Sequence, residues 1–528
     1  MTSKPTPERL ELGKVRSSQG DKVSLVVTAE AEVSFGQIVR LAFPEEKGRI
    51  FYARVTNAGS CSTLDVIEEL KDLKGSMRTV GPYSQYRHVE AVLFLELDVT
   101  GRLRAPTLNP DYGWKAETLT SEDYESLNLA GDLKLGYLRE GGRGPVKEVV
   151  IGLGVEFIPR MAATVGQIGS GKTNAELVLN SELMASRGAA VGLIFDFAGE
   201  LLTGKNIGAG LAHHPLASSL LKYVGLTEPR QPVDHIPLRI GLKGLAPGEL
   251  AWLLSDLTQP QIHYAIKLSR ELGENWVEEA VSLYLEGDVE AVRKRAPIKS
   301  SGTAEALLRK LANLDEAVFH PEYGDDIAGR IVDALASGKT ILVDISGLAE
   351  ETQRQVVTWI VSRTVSYYRE TWRNDWERWR RLPYLLITLE EAHKFLEERG
   401  GLFSDIALTH RKYRVGLNAV TPRPSLINRD VFAELWTKLI LKTTLKEDRI
   451  YLSENTPYLE YSDVELKMLD VGEALLVSQP KIQFAVPVKI FDYKEYLDHL
   501  KTEIKEAKTL AEARRAEVKR SRYEENVV

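Results

Sequence analysis

Three groups of residues in this chain have types and spacings that could do chemistry. The first is Gly166-Gln167-Ile168-Gly169-Ser170-Gly171-Lys172-Thr173, which fits G-x-x-x-x-G-K-[ST] at every fixed position. Its glycines let the backbone curl so that successive N–H groups converge on phosphate oxygens, and a helix N-terminus behind the loop adds partial positive charge. In this reading Gly166 to Asn174 bind ATP, Lys172 neutralises the β and γ phosphates, and the Thr173 hydroxyl ligates Mg²⁺. The competing reading is a glycine-rich turn that happens to carry a lysine. The flanks argue against it, because a β-prone run through Ala163, Thr164 and Val165 precedes the loop and a helix-compatible segment from Asn174 to Ser186 follows.

The second group is Glu390-Glu391, which ends the apolar run Tyr384 to Leu389. At the end of a buried strand behind a phosphate loop, the first acid helps hold hydrated Mg²⁺ and the second polarises the attacking water. Two adjacent acids without that context would read as solvated surface. The third group is Arg411 and Arg414 in His410-Arg-Lys-Tyr-Arg, with Arg423 in Thr421-Pro-Arg-Pro-Ser. An arginine there could reach the γ phosphate of a neighbouring subunit and stabilise transition-state charge. Surface arginine is the competing reading for each, and function is preferred only for Arg411.

Asp196 ends the apolar run Val191 to Phe195 and is followed by Gly199 and Glu200. Ligands bind at this edge of open α/β sheets, although a turn cap explains the aspartate equally well. His213-His214 reads as a solvated pair, since no further His or Cys is spaced to complete a metal site. Trp372, Trp376 and Trp379, interleaved with Arg373, Arg378, Arg380 and Arg381, could stack on nucleic acid; packing against another subunit or domain explains them at least as well.

The elements that must position these groups follow from periodicity. Short β-like runs at Lys22 to Thr28, Gln37 to Leu41, Ile50 to Val55 and His88 to Leu97 indicate a small barrel or sandwich in residues 1–150. Thr100 to Val149 reads as a connection that ends in the strand Glu148 to Ile151. An α/β core occupies 151–245 and resumes over 336–490, interrupted by a helical insertion at 246–335 with apolar residues at helical spacing. Its basic run, Arg293-Lys-Arg followed by Lys299, could contact DNA, although a solvated loop is the commoner explanation. Glu350 to about Trp376 reads as one amphipathic helix, and 491–528 as a charged helical extension carrying Arg514, Arg515, Lys519, Arg520 and Arg522.

The 528 residues, 43% hydrophobic and 27% charged, suffice for several domains. No apolar run approaches the roughly 20 residues that span a bilayer, and the polar first residues do not resemble a signal peptide, so a soluble cytoplasmic protein is expected. Cys61 is the single cysteine, which excludes an intrachain disulfide and a Cys-based zinc site. A net charge of −7 leaves open a basic channel within an acidic shell.

Taken together, Gly166 to Thr173, Phe195-Asp-Phe-Ala-Gly-Glu200, Asp344-Ile-Ser-Gly-Leu, Glu390-Glu-Ala-His393, and Arg411-Lys-Tyr followed by Arg423-Pro-Ser resemble the HerA family of the HerA/FtsK superfamily of hexameric DNA-pumping ATPases. The resemblance covers nearly the whole chain. It implies a RecA-like P-loop ATPase core with an N-terminal β-barrel (HAS-barrel-like), a helical insertion and a C-terminal brace. It also implies a homo-hexamer acting on duplex DNA with a NurA-like nuclease, with Glu391 as catalytic acid and Arg411 as trans-acting finger. Two positions depart from the family pattern: Ala198 stands where a histidine is usual, and Pro422 where a glutamine precedes Arg-Pro-Ser. Other members of the superfamily package or conjugate DNA or serve defence, and a ring that binds ATP only as a scaffold for a nuclease is a further alternative.

Overall fold

Alternating apolar residues fold the start of the chain into β1 (Glu11–Gln19), β2 (Lys22–Val27), β3 (Ile38–Ala42), β4 (Ile50–Ser62), β5 (Arg78–Val80), β6 (Tyr83–Leu97), β7 (Leu103–Arg104) and β8 (Lys115–Glu117). The structure is a computed structural model that describes residues 9–28, 31–43, 48–62, 78–80, 83–140, 144–243, 245–254, 257–320 and 327–506. Strands β2-β1-β8-β3-β4-β6 form a ring that closes because β2 also pairs with β6. Closure removes the unpaired edges that an open sheet would leave. Val15, Leu25, Val39, Leu41, Phe51 and Trp114 fill the interior. Gly13 permits the close pairing of β1 with β2, since a Cβ there would lie 2.1 Å from the Val26 carbonyl oxygen.

The chain divides into two compact units, residues 1–175, 392–398 and 419–491 forming the first and 176–391, 399–418 and 492–528 the second. The first holds the barrel and also β9 (Leu133–Arg139), β10 (Pro145–Leu153) and β11 (Ala162–Val165). The second holds β12 (Ala190–Asp196), β13 (Leu221–Gly225), β14 (Asp234–Pro237), β15 (Ile240–Gly241), β16 (Phe319–His320), β17 (Thr340–Asp344) and β18 (Tyr384–Leu389). Strand β19 (Val415–Thr421) contributes its last three residues to the first unit, which continues with β20 (Thr437–Leu441), β21 (Glu473–Ser478) and β22 (Ile482–Ile490).

In the first unit the order is β10-β9-β22-β21-β20-β11, with only the β20 and β11 pair parallel. The stretch expected as a connection before Val149 therefore carries a hairpin of the core sheet. The expected strand Glu148 to Ile151 lies inside β10, whose first half is largely exposed and carries no apolar periodicity; β9 is the element the sequence did not indicate. In the second unit β18-β12-β17-β13-β14 is parallel throughout. Every residue of β12 is buried, as the continuous apolar run requires of a strand covered on both faces.

The insertion leaves the core after β15 and returns at β16, and these two strands pair in parallel, so its ends are pinned together. Between them run helices Gln259–Leu272, Trp276–Leu285, Val289–Arg295 and Ser301–Ala312, around Tyr264, Leu268, Trp276, Leu307 and Leu308. The run Arg293-Lys-Arg ends the helix Val289–Arg295 rather than forming a loop, and there Arg293 pairs with Glu290, and Arg295 with Glu279 at 2.7 Å. The long helix forms over Glu350–Asn374 and buries the expected stripe Val356, Val357, Ile360, Val361, Thr364 and Val365. The chain is helical from 493 to 506, and the basic cluster at Arg514 to Arg522 lies outside the described residues. No described helix is long and apolar enough to cross a membrane.

Lys438 interrupts this apolar core. It is 2% exposed on β20 between Ala163 and Val477, with its ammonium 4.8 Å from the Phe432 ring centre. Burial pushes its pKa down to about 7. From there up to the unfolded value of about 10.4, the unfolded chain binds more protons, so stability rises with pH; the buried charge costs most below about pH 7. Lys438→Met is therefore expected to raise Tm by about 2–4 °C or more at low pH and less in alkali. Thermal melts on either side of neutrality check this, and an equal shift at both would contradict it.

Candidate nucleotide-binding site

The phosphate loop belongs to the first unit. It leaves β11 and enters the helix Lys172–Ala185. Gly166, Gly169 and Gly171 have φ of 156°, 78° and 103°, and the latter two lie in the region that side chains disfavour. A Cβ at Gly166 would also lie 2.8 Å from Ser170 Oγ and from Leu441 Cβ. The loop is anchored by Gly166 N–H to the Thr421 carbonyl (3.4 Å), Gln167 N–H to the Lys442 carbonyl (2.9 Å) and Gly472 N–H to the Ser170 carbonyl (3.0 Å). Its tip is open, with Ile168 85% exposed. Lys172 Nζ donates to the carbonyls of Gly166 (2.8 Å) and Gln167 (3.0 Å), which hold the ammonium against the loop. Asn174 Nδ2 donates to the Phe491 carbonyl at 2.8 Å, giving that side chain a structural bond.

The acids belong to the second unit. Asp196 and Asp344 end the paired parallel strands β12 and β17 in register. The buried Asp196 carboxylate accepts the N–H groups of Gly199 (2.6 Å), Glu200 (3.2 Å) and Leu201 (2.8 Å), which is the turn-cap role. Burial, then the charge of Asp344, raises its pKa against those N–H groups. Glu200 accepts from Asn206 Nδ2 at 2.8 Å on the surface. Asp344 accepts from Tyr223 Oη (2.8 Å) and Ser346 Oγ (2.7 Å).

Glu390 and Glu391 follow β18 directly. Glu390 accepts the Phe197 N–H at 2.9 Å, and burial, then the negative charges of Asp196, Glu391 and Glu200, pushes its carboxyl up to about 8. Glu391 has φ of 49°. Left-handed backbone at a non-glycine residue costs about 1–3 kcal/mol, persists only where the surroundings enforce it, and concentrates at functional sites.

The arginines separate clearly. Arg411 is partly exposed in the 3₁₀ turn His410–Tyr413 that follows helix Leu402–Thr409. Arg414 is pinned, its guanidinium 4.1 Å from the Tyr384 ring and 5.6 Å from that of Trp379, and it donates to the Arg380 carbonyl at 2.9 Å. Arg423, in the first unit, pairs with Asp448 at 3.8 Å. The tryptophans have contacts within the protein, although Trp376 stays 52% exposed: Trp376 stacks on Trp379 at 4.6 Å, Trp372 meets Tyr413 edge-on at 5.3 Å, and Arg378 lies over Tyr367. Only His213 of the histidine pair is exposed. His214 is 3% exposed and burial pushes it down to about 4, which corrects the solvated reading for that residue.

Sequence reasoning gave no role to Thr421. Its carbonyl anchors the phosphate loop while its hydroxyl contacts His393 Nδ1 (3.1 Å) and accepts the Arg423 N–H (3.0 Å). The signal was present in His393 of Glu390-Glu-Ala-His, but nothing local ties that residue to Thr421, 28 positions away.

ATP and Mg²⁺ suit these groups. Ser170 is 1% exposed, and its hydroxyl has no hydrogen-bond partner among the described residues, beside a glycine-lined loop. Among the described residues no cluster of three or more His, Cys, Asp or Glu could hold a metal alone. Mg²⁺ keeps several waters and takes one or two protein ligands with substrate phosphates. A divalent cation would also favour the anionic form of Glu390.

A family model described as "Helicase HerA, central domain" matches residues 133–365. The DNA double-strand break repair helicase HerA of Sulfurisphaera tokodaii is 25% identical over 476 residues, covering 85% of this chain and 87% of that protein. Its namesake in Saccharolobus solfataricus is 23% identical over 496 residues, covering 89% and 90%. That of Pyrococcus furiosus is 25% identical over 449 residues, covering 74% and 75%. Among solved structures, VirB4 of Thermoanaerobacter pseudethanolicus is a distant likeness, with a TM-score of 0.45 and 16% identity over 68% of this chain and 96% of that chain. With its phosphate loop, its paired acids and relatives aligned over most of their length, the chain is similar to the HerA helicases, and its residues 133–365 match their central domain.

Proposed function

We propose that the protein is a Mg²⁺-dependent ATPase that assembles as a hexameric ring, translocates duplex DNA, and works with a NurA-like nuclease in the resection of DNA ends. The observation that carries this reading is the phosphate loop, with left-handed Gly169 and Gly171, a buried Ser170 hydroxyl and Lys172 at the head of its helix. Relatives named as DNA double-strand break repair helicases support the link to DNA. Gly166 to Asn174 bind the nucleotide, Thr173 and Glu390 hold Mg²⁺, and Glu391 orients and polarises the attacking water. The cation supplies charge neutralisation at the phosphates. Asp196 and Glu200 shape the turn after β12 through backbone and surface hydrogen bonds.

Arg411 acts on the γ phosphate of a neighbouring subunit, whereas Arg414 and Arg423 keep their local partners. Arg411→Ala is expected to lower turnover by about 10³-fold or more, the usual scale for such an arginine. Mixing Arg411→Ala with Lys172→Ala subunits is expected to restore part of it, because an interface between them can pair an intact loop with an intact arginine. Absence of rescue in mixed rings shown to assemble would remove the in-trans role.

A further inference from the structure

Glu465 lies in the short helix Asp463–Met468 and is 5% exposed. Arg54 of the barrel strand β4 donates to its Oε2 at 2.5 Å, and Arg139 of β9 donates to its Oε1. Arg54 also donates to Ser462 Oγ at 2.5 Å. Both arginines are under 10% exposed, at 5% and 8%. A buried carboxylate between two guanidiniums is an expensive way to hold surfaces together, and apolar residues of similar volume often do so as well or better. The barrel is shaped to admit it: a Cβ at Gly36, whose φ is +78°, would sit 2.1 Å from Glu465 Oε1.

The same helix sets two turns that grip the phosphate loop. On one side, Thr443 N–H donates to the Leu466 carbonyl at 3.1 Å; next to it, Lys442 accepts the Gln167 N–H, and the Thr444 hydroxyl donates to Gln167 Oε1 at 2.6 Å. Arg449 reinforces this turn by bonding both Asp463 (2.7 Å) and the Thr444 carbonyl. On the other side, the helix closes with Leu469 N–H on the Glu465 carbonyl, and three residues later Gly472 N–H donates to the Ser170 carbonyl. There backbone meets backbone, since a Cβ at Gly171 would lie 3.0 Å from Gly472 N. Within the first unit, then, an unbroken series of bonds links barrel Arg54 through Glu465 to both flanks of the loop.

We propose that Glu465 is a positioning residue: clamped by Arg54 and Arg139, it fixes the helix whose two flanking turns shape the phosphate loop, so that the state of the barrel at Arg54 sets nucleotide affinity. The inference rests on the reading that Gly166 to Thr173 bind nucleotide. It adds a route by which anything that grips the barrel alters the ATP site.

The test measures the Kd of the full-length chain for Mg²⁺-ATPγS by calorimetry, at a temperature where circular dichroism shows each variant folded. Glu465→Gln and Arg54→Met are each expected to weaken binding by about threefold to thirtyfold. Their double variant is expected to be no weaker than the worse single one, because both act through one contact. A role confined to stability would lower Tm and leave Kd unchanged, and that result, or strictly additive losses, would overturn the proposal. Should Glu465→Gln fail to fold, Arg54→Lys keeps the charge, loses the two-pronged contact and decides the matter by the same Kd. Wild-type protein that binds no nucleotide, or Lys172→Ala binding as tightly as wild type, would instead overturn the nucleotide reading itself and this inference with it.

Discussion

Replacing Lys172 by alanine is expected to reduce Mg²⁺-ATP turnover at least about 10²-fold, the scale on which loss of one preorganised charge or donor raises a barrier. The ammonium is held 2.8 and 3.0 Å from two carbonyls of its own loop, so its position is built in before substrate arrives. The loop's other anchors come from Thr421, Lys442 and Gly472 and do not involve the lysine side chain. The fold is therefore expected to survive the substitution, with Tm close to that of wild type. Steady-state hydrolysis and a thermal melt check both halves; turnover within a few-fold of wild type would remove Lys172 from the site.

Glu391→Gln is expected to lower the hydrolysis rate by about 10²–10⁴-fold, the usual contribution of a positioned general base, with nucleotide affinity little changed. The amide keeps the size and one acceptor of the carboxylate but cannot take a proton from water. Its left-handed backbone is independent of that change, so the φ of 49° is retained. Single-turnover hydrolysis set beside an equilibrium Kd separates the two effects. Loss of binding together with rate would reassign Glu391 to holding substrate. Glu390→Gln provides the contrast, since its carboxylate accepts the Phe197 N–H and its loss is expected to be felt in the Mg²⁺ requirement.

Much of the core was legible because its signals are local. The phosphate loop carries its own glycines, β12 and β18 announce themselves as unbroken apolar runs, and the long helix repeats its apolar stripe every three or four residues. What escaped depends on partners far along the chain. Arg54 and Glu465 are 411 residues apart, and no periodicity relates them. Strand β9 finds its neighbour in β22, more than 300 positions later, so it passed for part of a connection, whereas the second half of β10 was expected as a strand. Asp196 carries the same sequence signal whether it caps a turn or faces a ligand; three N–H groups converging on its carboxylate establish the cap. The αL backbone of Glu391 has no sequence signature, because a glutamate there breaks the preference that would have revealed it.

The central claim is that ATP hydrolysis drives movement on duplex DNA, and the most direct test is Mg²⁺-ATP hydrolysis with and without linear duplex DNA across a salt series, with Glu391→Gln as the inactive control. DNA is expected to stimulate hydrolysis, and the stimulation to fade as salt rises, because the grip on phosphates releases counterions. Equal hydrolysis with and without DNA, at salt concentrations where binding is demonstrated, would contradict a motor and favour a ring that uses ATP as a scaffold.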